Sequence, residues 1–168
     1  KEVNEIEEAA KELEWSRAKT FADKDQKEVD KIRISKLKWI NPNSIPNISD
    51  KLWGMFEEAN ANWRFDVRGF SEDYQYTVYY GSNKGFYDWH RDTGSENTYR
   101  KISATIQLSD PKEYEGGELE ISRGTVTKTC YNKGAVIFFP SLTYHKVNAV
   151  TKGERRSLVV WLGGPPLK

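Results

Sequence analysis

The sequence predicts a mainly β domain with helices at its N-terminal end. Three observations carry this. From Phe65 onward, short apolar or alternating runs recur with few residues between them. Turn signals separate the runs, among them Gly81-Ser82-Asn83-Lys84-Gly85, Ser109-Asp110-Pro111, Arg123-Gly124 and Asn132-Lys133-Gly134. Helical periodicity is confined to residues before about 63. Many short strands with regular turns point to a sandwich or a barrel. At 168 residues the chain is long enough for a sizeable core, so one domain over 1–168 is expected. Within it, 1–63 supply helical support and a first strand, and 65–162 the β core.

The elements follow in order. Val3, Ile6, Ala10 and Leu13 recur at helical spacing, which predicts a helix from residue 2 to about 20 that braces a sheet. Its early glutamates suit the positive end of the helix dipole. The polar segment from Phe21 to Asp30 reads as a loop or frayed helix end. Lys31 to Ile40 alternates, but Leu37 and Trp39 are shifted by one against Ile32 and Ile34, which predicts a strand with a bulge. After the turn-rich Asn41 to Asn47, Ser49 is read as the cap of a second helix over 50–62. Leu52, Trp53, Phe56 and Ala59 form its apolar face, with Glu57 and Glu58 towards solvent.

Nine strands are expected beyond this point: 65–70, 73–81, 86–92, 101–108, 117–122, 125–131, 135–139, 145–150 and 155–162. Thr151-Lys152-Gly153 reads as the turn between the last two, and Cys130 as a packing residue. No repeat or low-complexity tract is present in the sequence.

Composition excludes several classes. Charged residues make up 30% of the chain and hydrophobic ones 37%, which excludes a membrane-spanning or disordered segment as its main content. The formal net charge of +1 gives no reason to expect a nucleic-acid partner. One cysteine cannot form an internal disulfide, and no membrane-length apolar run or signal peptide is visible. A cytoplasmic, non-membrane location is therefore expected. The chain starts at Lys1, so removal of a targeting segment stays open.

The chemistry concentrates on the only two histidines, His90 and His145. In a strand, residues i and i+2 share a face, so His90 and Asp92 point together while Arg91 points away. His145 follows the apolar run Phe138-Phe139-Pro140 and is the one other imidazole. Two histidines and a carboxylate make the facial triad that holds iron(II) and leaves positions open for substrate and O2. An isolated His-x-Asp is common without any metal, and a lone strand histidine is more often a satisfied core residue. Glu118 and Glu120 share a face and could pose as a metal pair, but a structural strand is the plainer reading.

A wider set of residues carries a resemblance. Tyr80-Gly81, Phe86 to Asp92, Gln107 to Asp110, Tyr114 to Leu119, Phe139-Pro140-Ser141, His145-Lys146-Val147 and Gly153 to Trp161 occur in order with ordinary spacings. Together they resemble the iron(II)/2-oxoglutarate-dependent dioxygenases, in the prolyl 4-hydroxylase-like branch. The resemblance runs from about Tyr74 to Leu162, and the residues before it carry no family motif. It implies a double-stranded β-helix, a jelly-roll barrel open at one end and braced by helices. It also implies iron held by His90, Asp92 and His145, with 2-oxoglutarate and O2 as co-substrates and ascorbate as an accessory.

The resemblance gives Arg155 the distal carboxylate of 2-oxoglutarate, with Ser157 two residues on and Tyr80 as further contacts. A guanidinium suits that role because it pairs with a carboxylate bidentately. Arg156 competes for it, but alternation puts it on the other face and family spacing from His145 favours Arg155. Tyr76 and Tyr79 read as core aromatics, and Trp161 as core. Tyr87, three residues before His90, alternates away from it and reads as packing or rim. Arg100 and Trp89 are weaker candidates for substrate contact. The loop 81–85 and the stretch 93–99, with Gly94 and Ser95, are candidates for a substrate lid. The nucleic-acid demethylase branch has a second arginine six residues after the first; here that position is Trp161.

The implied reaction hydroxylates an unactivated C–H bond, with release of succinate and CO2. A prolyl residue of a peptide or protein is the expected substrate. A free amino acid or small metabolite is the alternative substrate, and a non-catalytic, cupin-like metal-binding module is the alternative class. The oligomeric state is left open by the sequence.

Overall fold

The computed structural model describes residues 1–18, 25–94 and 97–166. Three α-helices lie among them: α1 (Glu2–Lys11), α2 (Gln26–Asp30) and α3 (Pro46–Asn60). The first strands are β1 (Ser16–Arg17), β2 (Arg33–Ile34), β3 (Lys36–Ile40), β4 (Gly69–Phe70), β5 (Tyr74–Tyr80) and β6 (Phe86–His90). Then come β7 (Arg100–Gln107), β8 (Tyr114–Gly116), β9 (Leu119–Ser122), β10 (Val126–Lys128), β11 (Val136–Pro140), β12 (Tyr144–Val147) and β13 (Val150–Gly163). They form a major sheet ordered β1-β3-β5-β13-β7-β11, with β4 and β8 also on β13, and a minor sheet ordered β10-β9-β12-β6-β2. All pairings are antiparallel, and the two facing sheets make the expected jelly roll.

The helices cover only the major sheet. Ile6 and Ala10 of α1 and Ile48, Leu52 and Phe56 of α3 pack on Tyr74, Tyr76, Val78, Ile102, Ala104, Leu158 and Val160. That core is apolar because every second residue of β5, β7 and β13 points at it. Phe56 sits edge-on to Phe138, with ring centroids 4.9 Å apart. Helix α1 is fastened through its C-terminus: the buried Lys38 ammonium donates to Ala10 O at 2.7 Å and Lys11 O at 3.1 Å. A cation on the last carbonyls also suits the helix dipole. No helix among the described residues is long and apolar enough to cross a membrane.

Several expectations change. Helix α1 ends at Lys11, and short β1 follows. The five-residue α2, capped by Asp25, lies within the segment read as a loop; residues 19–24 of that segment are outside the described ones. Helix α3 starts at Pro46, and Ser49 lies inside it, its hydroxyl donating to Pro42 O. Proline is favoured in the first turn because its missing N–H would have no partner there. The irregularity between Ile34 and Lys36 is a change of sheet, since β2 pairs with β6 and β3 with β5. Residues 65–68 are not strand, and β8 is an additional one. Cys130 is exposed, so it does not pack.

The expected turn at 151–153 is continuous strand, and β13 runs for 14 residues. Gly153 (φ +71°) is there for close approach: a Cβ would stand 2.0 Å from Glu113 O. This long strand reaches from β8 to β4, and it brings Arg155, Ser157 and Trp161 onto the interior face.

Candidate active site

Between the sheets lies a cavity of about 440 Å³. His90, Asp92 and His145 line it, and their donor atoms lie within 4.8 Å of one another. Pairing across β6 and β12 sets His90 directly opposite His145. Each imidazole presents Nε2 at 3.6 Å from Asp92 Oδ1. Each Nδ1 is engaged by a backbone carbonyl, Asp88 O at 2.7 Å for His90 and Thr143 O at 2.9 Å for His145. A neutral ring that donates from Nδ1 leaves its Nε2 lone pair free, so three lone-pair donors converge.

The electrostatics agree with that assignment. Burial, and then His145, lower the pKa of His90 to about 3, so its ring is neutral. Burial works against ionisation of Asp92, but His145, His90 and the Ser103 hydroxyl outweigh it and bring its pKa down to about 2. Ser103 Oγ donates to Asp92 Oδ2 at 2.7 Å and touches Ser141 Oγ at 2.9 Å. Oδ2 is thereby engaged, and Oδ1 faces the imidazoles. The Trp161 indole N–H is buried without a partner of ordinary hydrogen-bond geometry, yet it is near enough to help hold Asp92 ionised.

Arg155 lines the same cavity and is 1% exposed. Its surroundings are neutral: Nη2 donates to Gln107 Oε1 at 2.9 Å, Nη1 to Ser157 Oγ at 3.3 Å, and the Tyr79 ring lies 5.5 Å from Cζ. Burial pulls its pKa down, opposed by Tyr79 and Tyr114. Arg155 Nε and Gln107 Nε2 are both buried with no hydrogen-bond partner among the described residues. A buried guanidinium with an idle donor and, among the described residues, no carboxylate partner fits a carboxylate ligand. Gly117 makes room for it, since a Cβ there would meet Arg155 Cδ at 2.8 Å.

The structure places the other sequence candidates as follows. Ser157 joins Arg155 in the cavity. Tyr80 does not, and the expectation for it is corrected. Arg155 is paired with Tyr79, and Tyr80 is paired with Glu154, so Tyr79 faces the cavity and Tyr80 the outside near Lys36. Tyr87 is corrected in the opposite sense. Val147 pairs with Tyr87 and His145 with His90, two residues on β12 against three on β6. The extra residue on β6 returns Tyr87 to the face of His90, where the rings stack with centroids 3.4 Å apart.

Arg100 lines the cavity but is held bidentately by Glu72, with its guanidinium 3.8 Å over the Trp161 ring. Trp89 is 37% exposed and lies on the outer side of β6 near Lys146. Arg156 is outside too, paired with Glu7, Glu113 and Glu154. Glu118 and Glu120 bond to Asn148 and face Lys128 and Lys146, away from the cavity. Of the two lid candidates, Gly81 abuts the Lys152 backbone. In the other, Asn97 lines the cavity, and Ser95 lies outside the described residues. Sequence reasoning missed Arg33, Gln75 and Tyr79 as lining residues. Strand alternation puts Tyr79 on the Thr77 face, which was the one available signal.

Similarity to known proteins agrees with this geometry. The chain belongs to the 2OG-Fe(II) oxygenase superfamily, whose family model matches residues 74–163. A PKHD-type hydroxylase of Teredinibacter turnerae is 36% identical over 87 residues, 48% of this chain and 38% of that protein. One of Prochlorococcus marinus is 44% identical over 84 residues, again 48% and 38%. The chain therefore covers well under two thirds of these relatives. Among solved structures, a Pseudomonas putida prolyl-4-hydroxylase superposes with a TM-score of 0.67 at 19% identity, covering 97% of this chain and 98% of that one. A Trichoplax adhaerens prolyl hydroxylase, in complex with a hypoxia inducible factor peptide fragment, gives 0.75 at 18% identity, covering 96% and 74%. At such identities the superpositions establish the fold.

Proposed function

We propose that the chain is an iron(II)- and 2-oxoglutarate-dependent dioxygenase that hydroxylates a prolyl residue in a peptide or protein. The observation that carries this is the pairing, in one cavity, of three convergent lone-pair donors with a buried cation that has no acidic partner among the described residues. His90, Asp92 and His145 fit iron(II), because two neutral imidazoles and one carboxylate are its oxygenase donor set. Arg155, with Ser157 beside it, fits the distal carboxylate of 2-oxoglutarate.

When bound, iron(II) with 2-oxoglutarate and O2 supplies the oxidising power for C–H hydroxylation, with release of succinate and CO2. The protein's own residues do the rest. Asp88 and Thr143 carbonyls fix the imidazole tautomers. Ser103 orients Asp92. Arg155 fixes one end of the co-substrate. No general base is needed, and none is required of the remaining residues.

The prolyl substrate draws its support from the prolyl hydroxylases of Pseudomonas putida and Trichoplax adhaerens, whose fold this chain shares, and hydroxylation as such from the PKHD-type hydroxylase relatives. One domain over 1–168 and a cytoplasmic location belong to the same reading. A metal-binding module without turnover would leave Arg155 without a use.

Anaerobic titration with iron(II) and 2-oxoglutarate tests the proposal through the weak visible absorption that the two develop together. The wild type is expected to show it, and His145→Ala to bind no iron(II). Iron binding without the absorption would favour a metal-binding module, and tight stoichiometric iron in His145→Ala would overturn the ligand set.

A further inference from the structure

Arg33, Arg100 and Arg155 are buried and reach the cavity, and they are not equivalent. Arg100 has its counter-charge in Glu72. Arg155 is the cation that the dioxygenase reading assigns to 2-oxoglutarate. Arg33 has no such assignment. It is 5% exposed, and its hydrogen bonds go to neutral groups: Nε to Ser35 Oγ and Nη2 to Gln75 Oε1, both at 2.8 Å. Among the described residues it forms no ion pair with an acidic side chain. A buried cation with neutral partners is costly until an anion joins it.

Its position is close to the chemistry. Arg33 on β2 pairs with Tyr87 on β6, and its guanidinium carbon lies 4.5 Å from the centre of the Tyr87 ring. Tyr87 in turn stacks on His90. One aromatic ring therefore separates Arg33 from a proposed metal ligand. The charges in the cavity point the same way. Iron(II) and Arg155 together are balanced by Asp92 and the two carboxylates of 2-oxoglutarate, and Arg100 is balanced by Glu72. With everything loaded, Arg33 is the buried cation left over, since Arg17, which also lines the cavity, is exposed.

We propose that Arg33 anchors a carboxylate of the substrate close to the carbon that is hydroxylated. Trp39, Val159 and Trp161 offer apolar wall for the rest of the substrate. The inference rests on the dioxygenase reading and narrows its substrate to an anionic one. The carboxylate has two sources of the same chemistry. It belongs either to an acidic residue beside the target proline of a peptide or to a free amino acid.

Calorimetric titration under anaerobic conditions, with iron(II) and 2-oxoglutarate present, reads binding without turnover. Two probe pairs separate the sources: blocked proline pentapeptides carrying one aspartate or one asparagine beside the proline, and free L-proline against L-prolinamide. In the wild type, the carboxylate member of one pair is expected to bind at least about tenfold tighter, as a charge-assisted hydrogen-bonded pair gives. Arg33→Gln should remove that preference, and Arg33→Lys should keep part of it. Both variants should still develop the iron(II)–2-oxoglutarate absorption.

Equal binding within both pairs in the wild type, or a preference that survives Arg33→Gln, overturns the proposal. So does an Arg33→Gln variant that loses 2-oxoglutarate rather than the probe. Absence of the absorption in the wild type would instead defeat the dioxygenase reading, which keeps the two failures distinguishable.

Discussion

On β5, Tyr74, Tyr76 and Val78 point at helices α1 and α3, whereas Gln75, Thr77 and Tyr79 point into the space between the sheets. The same division runs along β7, with Ile102, Ala104 and Ile106 on one face and Ser103, Thr105 and Gln107 on the other. On β13 it separates Leu158 and Val160 from Arg155, Ser157 and Trp161. Both faces are buried, but they are built for different ends. The outer face is close-packed and satisfied. Among the described residues, the inner face keeps three buried polar side-chain atoms without partners, on Gln107, Arg155 and Trp161. A protein carries such atoms where a ligand completes them.

The contrast can be broken most forcefully by one change on each face. Phe56→Ala removes a fully buried ring from the outer core and is expected to cost about 3–5 kcal/mol in chemical denaturation. Below its melting range, the variant should bind iron(II) and 2-oxoglutarate like the wild type. Arg155→Met should do the reverse. Removing a buried cation that has only neutral partners should leave the ligand-free protein as stable or more so. It should also raise the 2-oxoglutarate concentration needed for the visible absorption by about tenfold or more. Equal stability loss from the two would erase the distinction between the faces.

A smaller effect sharpens the inner face. Ser103→Ala frees Asp92 Oδ2, and loss of a group that orients a metal ligand weakens metal binding by about ten- to a hundredfold. Competition against a chelator would measure it; an unchanged affinity would mean that packing alone holds Asp92.

Acidification acts on the same cluster. His90 titrates at about 3 in the folded chain and ordinarily at 6.5. Between those values the unfolded chain binds the extra proton, so stability of the metal-free protein rises with pH across this window and is lost on acidification. Asp92, lowered to about 2 from 3.8, adds a loss of the same sign below its ordinary value. Denaturation midpoints over a pH series are the check, and a flat profile from pH 6.5 to 4 would contradict a neutral, buried His90.

The least effect belongs to Tyr80. Tyr80→Phe should leave the 2-oxoglutarate requirement unchanged, whereas Tyr79→Phe, on the Arg155 face, should raise it. The reverse result would place the co-substrate outside the cavity.

The sequence by itself determined the class of fold and the candidate donors His90, Asp92 and His145, through the density of turns, the two-residue period of a strand and the scarcity of histidine. The preference for Arg155 over Arg156 came from the family resemblance, because alternation puts the two on opposite faces without saying which face is inside. Tertiary structure decided the rest. Tyr87 reached the face of His90 because β6 carries one residue more than its partner, and a count along one strand cannot show its neighbour's register. Tyr79 replaced Tyr80 because of which residue lies across from Arg155. Arg33 became a cavity residue because the chain changes sheets between β2 and β3. The alternation Ile-Ser-Ala-Thr-Ile-Gln on β7 tells which side chains share a face, but a polar face ordinarily meets water. That this one meets a second sheet, with a cavity in between, is a property of how the chain closes on itself and not of any stretch of it.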